Sequence, residues 1–363
     1  MSQLCWNCRG LGSDSTVGEL RWLVKFHRPT LLFLSETKMR DSRVRNFMWS
    51  LGFTGCLAVN SDGLSAGLAL FWTASVDVSL KGSNARCIDV LVTSEAGTTW
   101  RVTFVYSEPR REDRPQFWEL LKRLKAQWQG PWVVCGDFNE VLSKDEHCGP
   151  RDRSEAQISA FRDCLMDCEL MDLGFSGPKF TWNNRQDPKC HVKVRLDRAV
   201  ANSNFIRLHD VCAVEHVITT SSDHYAILIE LAGQPTQRAQ RPVQQGFKFE
   251  AMWLRAADYR EQLERAWTEG RSGDSSLQAT WDNLHRVTGA LKSWSRDSFG
   301  SIRRQINRLE RELKSIRSMP VTDSSLAVER SIVTQLCELF EREEIMARQC
   351  PRVDWLREGD RHT

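Results

Sequence analysis

Tyrosine is scarce in this sequence, with three among 363 residues, at Tyr106, Tyr225 and Tyr259. No stretch approaches the roughly 18 consecutive apolar residues of a membrane-spanning helix, so no membrane partner is expected. The N-terminus has no basic segment followed by an apolar one, which speaks against a secretory signal. An excess of one charge is also missing: 50 Lys and Arg against 47 Asp and Glu leave +3. That balance does not advertise nucleic-acid binding, yet it leaves room for a local basic groove. No internal repeat is present, so a solenoid is not expected. The 12 cysteines are irregularly spaced, which with no secretory signal favours reduced thiols in a nuclear or cytoplasmic protein. Cys5 and Cys8 form a C-x-x-C, but no second Cys/His pair stands at finger-like spacing to complete a zinc site. They read as small apolar residues in or beside a buried strand.

What is present suits a folded chain. Hydrophobic residues at 41% and charged residues at 27% exclude wholesale disorder. At very roughly 150 residues per domain, the length fits two domains or one large domain with an appendage. Up to residue 232, short apolar runs alternate with turn residues: Leu31 to Leu34, Ala66 to Phe71, Val102 to Tyr106, Trp132 to Val134 and Ala226 to Leu231. These read as strands, several buried on both faces. Helical patterns lie between them over Thr16 to Lys25, Pro115 to Gln127 and Ser154 to Cys168. A mixed α/β or α+β domain over residues 1–232 follows. Residues 233–246 form a polar linker with two prolines. Beyond it, residues 247–363 read as helical. Ile302, Ile306, Leu309, Leu313 and Ile316 make one stripe, which Met319-Pro320 interrupts; Val328, Ile332, Leu336, Leu339 and Phe340 make another. The expectation is an antiparallel helical hairpin. With 20 basic and 19 acidic residues from Phe247 onward, its charges read as a solvated mixed face.

Five segments put carboxylates, amides or a histidine where strands should end: Trp6-Asn7-Cys8-Arg9-Gly10, Leu34-Ser35-Glu36-Thr37-Lys38, Val105-Tyr106, Gly136-Asp137-Phe138-Asn139 and Ser222-Asp223-His224. Strand ends are where loops gather functional groups at one edge of a sheet. Each segment alone also fits a plain role. Asn7 can initiate a turn, Glu36 can be a surface or helix N-terminal charge, and Asp137 and Asn139 can form an Asx turn. Asp and Asn two apart on a strand end also project to the same side and can face one ligand. Asp223-His224 before an apolar run suits proton transfer better than a lone histidine does. Asp197, in Arg195-Leu196-Asp197-Arg198, by itself reads as a surface ion pair.

In this order, WNCRG, SETK, VY, GDFN, RLDR and SDH resemble the endonuclease/exonuclease/phosphatase superfamily, the DNase I-like fold. The opening LCWNCRGLGSDSTVGELRWLVKFHRPTLLFLSETKM, GDFNEVL, FRDCLMDCELMDLGFSGPKFTWNNR and VRLDRAV are more closely similar to the endonuclease domain of plant LINE-type non-LTR retrotransposons. The resemblance spans residues 1–232. SWSRDSFGSI and DWLREGDRHT look like the linker that precedes a reverse transcriptase. No Tyr-x-Asp-Asp and no C-terminal zinc knuckle follow, so the chain is expected to be an endonuclease-plus-linker piece.

The resemblance implies an α+β fold, a four-layer α/β/β/α sandwich, followed by a mainly helical segment. It implies phosphodiester hydrolysis with Mg²⁺, or Mn²⁺ in its place. By motif, Glu36 matches the principal metal carboxylate, with Asn7 and Asp223 beside the metal. Asp137 matches the residue that orients or deprotonates the attacking water, and Asn139 one that holds the phosphate or that aspartate. His224 would serve a phosphate oxygen and be oriented by Asp197; Tyr106 would touch the phosphate or leaving group. Thr181 aligns with a phosphate-contacting position. Arg9, Lys38, Arg110, Arg111, Arg151, Arg153 and Arg185 are candidate phosphate contacts in loops. Lys144 to Gly149 departs from the glycine-rich segment usual in related elements, and Glu108 adds an acid just after Tyr106. The expected partner is DNA, nicked to prime a reverse transcriptase supplied by another element. Two alternatives stand beside this: a phosphomonoesterase or inositol phosphate phosphatase of the same fold, and an inactive retroelement remnant with a helical binding module.

Overall fold

Two parallel strand pairs organise the first part of the chain, each joined by a helix. Ser2–Asn7 (β1) and Leu31–Ser35 (β2) are connected by Asp14–His27 (α1). Ser13 starts that helix, its hydroxyl accepting the Thr16 N–H at 3.1 Å. Two short helices, Asp41–Arg45 (α2) and Phe47–Ser50 (α3), lead to the antiparallel pair Gly55–Asp62 (β3) and Ser65–Trp72 (β4). An antiparallel meander follows: Val76–Asn84 (β5), Cys87–Ser94 (β6) and Thr99–Tyr106 (β7). Arg114–Ala126 (α4) then returns the chain to Trp132–Asp137 (β8), parallel to β7. The remainder contains His147–Cys148 (β9), Glu155–Asp167 (α5), Met171–Asp172 (β10), Trp182–Asn183 (β11), Lys193–Val194 (β12), Asp197–Ala201 (β13), Ser203–Leu208 (α6), Cys212–Val217 (β14) and Ala226–Leu231 (β15).

This computed structural model describes residues 1–62, 65–209, 212–231, 253–254, 256, 258–269, 277–299, 302–319 and 321–358. The linker expected at 233–246 lies outside the described residues. The strands form two six-stranded sheets, ordered β14-β15-β1-β2-β4-β3 and β10-β13-β8-β7-β6-β5, and a small sheet β11-β12-β9. The two large sheets share one core. Cys5, Leu31, Phe33, Leu68 and Leu70 from the first pack with Val90, Val102, Phe104, Val133 and Cys135 from the second. Phe33 stacks on Phe104 at 5.1 Å, and Cys5 Sγ lies 3.5 Å from Cys135 Sγ. The other face of the second sheet is covered by α4 and α5, through Phe117, Trp118, Leu121, Phe161 and Leu165. This is the expected helix-flanked sandwich. Strands buried on both faces account for the unbroken apolar runs.

Gly136 lets the β7–β8 pair close next to Asp137. Its φ is +133°, and a Cβ there would lie 2.2 Å from the Val105 carbonyl oxygen. Gly136→Ala is therefore expected to destabilise the fold by about 3 kcal/mol or more. Urea unfolding measures this; a loss below about 1 kcal/mol would contradict the close approach.

The helical region contains Tyr259–Thr268 (α7), Leu277–Phe299 (α8), Ile302–Ser318 (α9) and Asp323–Glu358 (α10). Among the described residues, no helix is long and apolar enough to cross a membrane. The chain divides into two compact units: Met1–Pro235 with Leu313–Val333, and Thr236–Glu312 with Thr334–Thr363. In the second unit, α7 and α8 pack around Trp253, Tyr259 and Trp294, with Trp294 Nε1 donating to Asp258 at 2.8 Å. Along α9, Ile302, Ile306, Leu309 and Leu313 are buried. The second stripe needs one correction: Val328 is 45% exposed, and Leu326 is buried instead. Leu326, Glu329, Ile332 and Leu336 share a face at three- and four-residue spacing, so a carboxylate occupies a position that an apolar stripe alone would not mark.

Candidate active site

Strand direction gathers the candidate residues at one edge. Asn7 ends β1 and pairs in register with Ser35, which ends β2 and precedes Glu36. Tyr106 ends β7 beside Asp137, which ends β8. Strands β13 and β15 run antiparallel to their neighbours, so their starts reach the same edge. Asp197 opens β13 opposite Asp137, and Asp223-His224 immediately precede β15. Arg9, Glu36, Lys38 and Asn139 all hold φ between +50° and +54°. Such backbone conformations in non-glycine residues cost energy and cluster at functional sites.

Glu36 is the centre of one half of the site. Its Oε1 accepts from Asn7 Nδ2 at 3.1 Å and from Tyr106 Oη at 3.0 Å. Arg9 NH1 reaches both of its oxygens at 3.2 and 3.1 Å, and Lys38 Nζ lies 3.4 Å from Oε2. The same guanidinium grips Asp223 twice, at 3.0 Å each. Burial pushes the Glu36 carboxyl up, but the Asn7 amide, the Arg9 charge and the Tyr106 hydroxyl together hold it below its ordinary range. Asp223 is likewise held low against burial by the charges of His224 and Arg9. Burial and Glu36 push the Tyr106 phenol far up, so it remains a donor. Glu36 and Asp223 thus form an oxygen-only anionic pair already spanned by a cation. That donor chemistry fits a hard divalent ion such as Mg²⁺. Asn7 contributes differently from expectation: its amide nitrogen bridges Glu36 and Asp137, while its oxygen accepts the Arg9 N–H at 3.3 Å.

His224 is the centre of the other half. Its Nδ1 lies 3.0 Å from Asp197 Oδ2, and its Nε2 lies 3.8 Å from Asp137 Oδ2 and 3.5 Å from Asn7 Nδ2. Burial would lower its pKa; the charges of Asp197 and Asp137 and the Asp197 hydrogen bond reverse this and raise it to about 9. Burial, reinforced by Asp197 and opposed by His224, raises Asp137 to about 6. Asp137, Asp197 and His224 also bring one ligand atom each within 4.8 Å of one another, a second place where a divalent ion fits. Asp197 is 3% exposed, so its reading as a surface ion pair is overturned.

A model of the endonuclease/exonuclease/phosphatase family matches residues 4–224. The chain belongs to this family. Among solved structures, it is similar to a 3′ phosphatase, NExo, from Neisseria bound to a product DNA hairpin (18% identity, TM-score 0.50, covering 64% of this chain and 100% of that one). It is also similar to the AP endonuclease LMAP from Leishmania major (16% identity, TM-score 0.50, covering 63% and 86%). The endonuclease domain of TRAS1, a telomere-specific non-LTR retrotransposon, aligns at 16% identity and TM-score 0.49, covering 64% and 99%. No curated protein matches the sequence. The first two are likenesses of fold. The family match and the buried Asp137–Asp197–His224 cluster make the chain a metal-dependent phosphodiesterase or nuclease of the endonuclease/exonuclease/phosphatase family.

Other sequence candidates take supporting places in this family member. Thr181 is fully buried, and its hydroxyl accepts the N–H groups of Leu196 and Asp197 at 2.9 and 3.0 Å, so it holds the start of β13. Asn139 donates its backbone N–H to Asp137 Oδ1 at 2.9 Å, while its side chain donates to Ser107 O at 3.0 Å. Arg153 is turned to Glu140 at 3.3 Å, and Arg185 to the carbonyls of Thr220 and Ser222. Arg110, Arg111 and Arg151 are exposed. Glu108, the added acid, is paired with Arg86, which lies over the Tyr106 ring at 5.6 Å. In the Lys144 to Gly149 segment, Glu146 pairs with Arg195 and Arg198 at 2.8 and 2.7 Å. Two supports escaped the sequence reading. Trp182 Nε1 donates to Asp223 at 2.9 Å. Glu19 takes both N–H and hydroxyl groups of Thr220 and Ser221, at 2.5 to 3.0 Å. A carboxylate among Val17, Leu20 and Leu23, on the buried side of an amphipathic helix, was the signal available for Glu19.

Proposed function

We propose that the chain is a Mg²⁺-dependent endonuclease that nicks DNA, the endonuclease piece of a LINE-type retroelement. The observation that carries this reading is the meeting, at one edge of the two-sheet sandwich, of an anionic oxygen pair, Glu36 and Asp223, with a buried acid–base group, Asp137–His224–Asp197. Hydrolysing a phosphodiester requires charge neutralisation, a deprotonated water and a stabilised oxyanion. Asp137, ionised above about pH 6, accepts the proton of the attacking water. His224, oriented by Asp197 through Nδ1, presents a protonated Nε2 to a phosphate oxygen. Tyr106 and the Asn7 amide keep Glu36 ionised and fixed. Glu36 and Asp223, with Asn7 beside them, would hold the divalent ion, whose chemistry is to offset phosphate charge and make a bound water more acidic. Asp137, Asp197 and His224 are a second place for such an ion, which would take the imidazole in its neutral form. Exposed Arg110, Arg111 and Arg151 supply phosphate contacts. A reverse transcriptase from another element would extend the nick.

The test is conversion of supercoiled plasmid to open circle with Mg²⁺ and with EDTA, beside Glu36→Gln. Nicking is expected with Mg²⁺ only, and the variant should be slower by about 10²-fold or more. Mg²⁺ should raise the melting temperature of the wild type and not that of Glu36→Gln. No nicking by folded protein, with release of phosphate from inositol phosphates or from 3′-phosphorylated DNA, would replace the endonuclease reading with the phosphomonoesterase one.

A further inference from the structure

One arginine of the mixed-charge helical region is not solvated. Arg317, in the last turn of α9, has a side chain only 5% exposed. Its Nε lies 2.7 Å from Glu329 Oε1 on α10, and its NH1 donates to Thr219 O at 3.3 Å. The guanidinium lies over the Tyr225 ring, 4.9 Å from its centroid. Its own carbonyl accepts from Lys193 Nζ, on β12, at 3.1 Å. Burying a guanidinium costs desolvation, which a carboxylate and an aromatic face offset only while their geometry is kept. All these partners lie in the unit formed by Met1–Pro235 and Leu313–Val333.

The loop that Arg317 meets is the one between β14 and β15, which ends in Asp223 and His224. Thr219 and Tyr225 bracket that pair. Thr219, whose carbonyl takes the Arg317 hydrogen bond, donates its own hydroxyl to His224 O at 2.5 Å. Tyr225 is the residue after His224, and its N–H donates to Thr181 O at 2.7 Å. Glu19 and Arg185 hold the middle of the loop. Arg317 holds both of its ends.

We propose that Arg317 is a positioning residue for His224, clamping Thr219 and Tyr225 so that the imidazole stays against Asp197 and Asp137. The tip of the helical region is then a working part of the catalytic unit. Only the rate measurement rests on the endonuclease reading; the ring position does not.

The test uses the full chain carrying Arg317→Ala, with Arg317→Met as a second variant that keeps the packing volume and removes the charge and the donors. Protein labelled with [¹³Cε1]histidine gives one signal per histidine, and that of His224 is the one lost in His224→Asn. Expected in both variants is a displaced His224 signal at fixed pH. Expected with it is a kcat for nicking lower by about 10- to 100-fold, as for a small misplacement of a reacting group. KM should stay within about threefold, because Arg317 touches no substrate. Arg317→Lys should recover part of kcat, since it restores the cation but not the planar fork. A His224 signal left in place overturns the proposal, and so does an unchanged kcat in a nicking-competent protein. If the wild type does not nick, the endonuclease reading fails and the His224 signal alone decides the positioning.

Discussion

Nicking of supercoiled plasmid by His224→Ala should be about 10²- to 10⁴-fold slower than by the wild type, the span usual for loss of a positioned acid–base group. The size of the effect follows from where the ring stands. Its Nδ1 is committed to Asp197 at 3.0 Å, which leaves Nε2 as the working atom, and neighbouring carboxylates keep it charged up to about pH 9. Alanine removes the donor, and it also removes the cation that Asp137 and Asp197 share in a buried site. Stability should therefore fall along with the rate, since an unpaired buried charge costs more than the pair contributed. Thermal unfolding beside the rate separates the two losses. A folded His224→Ala protein that nicks at the wild-type rate would remove His224 from the chemistry. Asp197→Asn should show a smaller loss, because the ring stays in place while its orienting charge goes.

Much of this site was legible because its residues interrupt apolar runs. Asn7, Glu36, Tyr106 and Asp137 each follow such a run, and His224 precedes one. The register then brings them together, as with Tyr106 opposite Asp137. Order along the chain supplied what no single segment could. Asp197 alone looked like a surface charge, because burial by a partner strand leaves no local mark. Thr181 reads from its motif as a phosphate contact, yet its hydroxyl is buried against the start of β13: which of its neighbours a buried hydroxyl serves is set by tertiary packing. Arg317 was lost for a related reason. It sits in a helical pattern whose charges normally face water, and only Glu329 and the loop carrying Asp223 and His224 turn it inward. Val328 failed because a stripe read from apolar residues alone passes over Glu329, the polar member that fixes which face of α10 is inside.

Asp137→Asn carries an equally large expectation and a different signature. The amide cannot accept the proton of the attacking water, so the rate should fall by about 10³-fold or more. The shape of the pH profile distinguishes this from a simple structural loss. In the wild type, Asp137 works only when ionised, so kcat/KM should rise with pH through about 6. His224 works only when protonated, so the rate should fall again through about 9. The result is a bell whose limbs belong to the coupled pair. Asp137→Asn should lose the acid limb together with the rate, and His224→Ala the alkaline one. Replacing Asp137 by the neutral amide also removes one of the charges that hold His224 protonated, so the alkaline limb of Asp137→Asn should move to lower pH. Rates measured from pH 5 to 10 at saturating Mg²⁺ test all three statements. An acid limb that survives in Asp137→Asn would place the proton acceptor on another group, and Glu36, the other buried carboxylate bonded to Asn7, would be the next residue to replace.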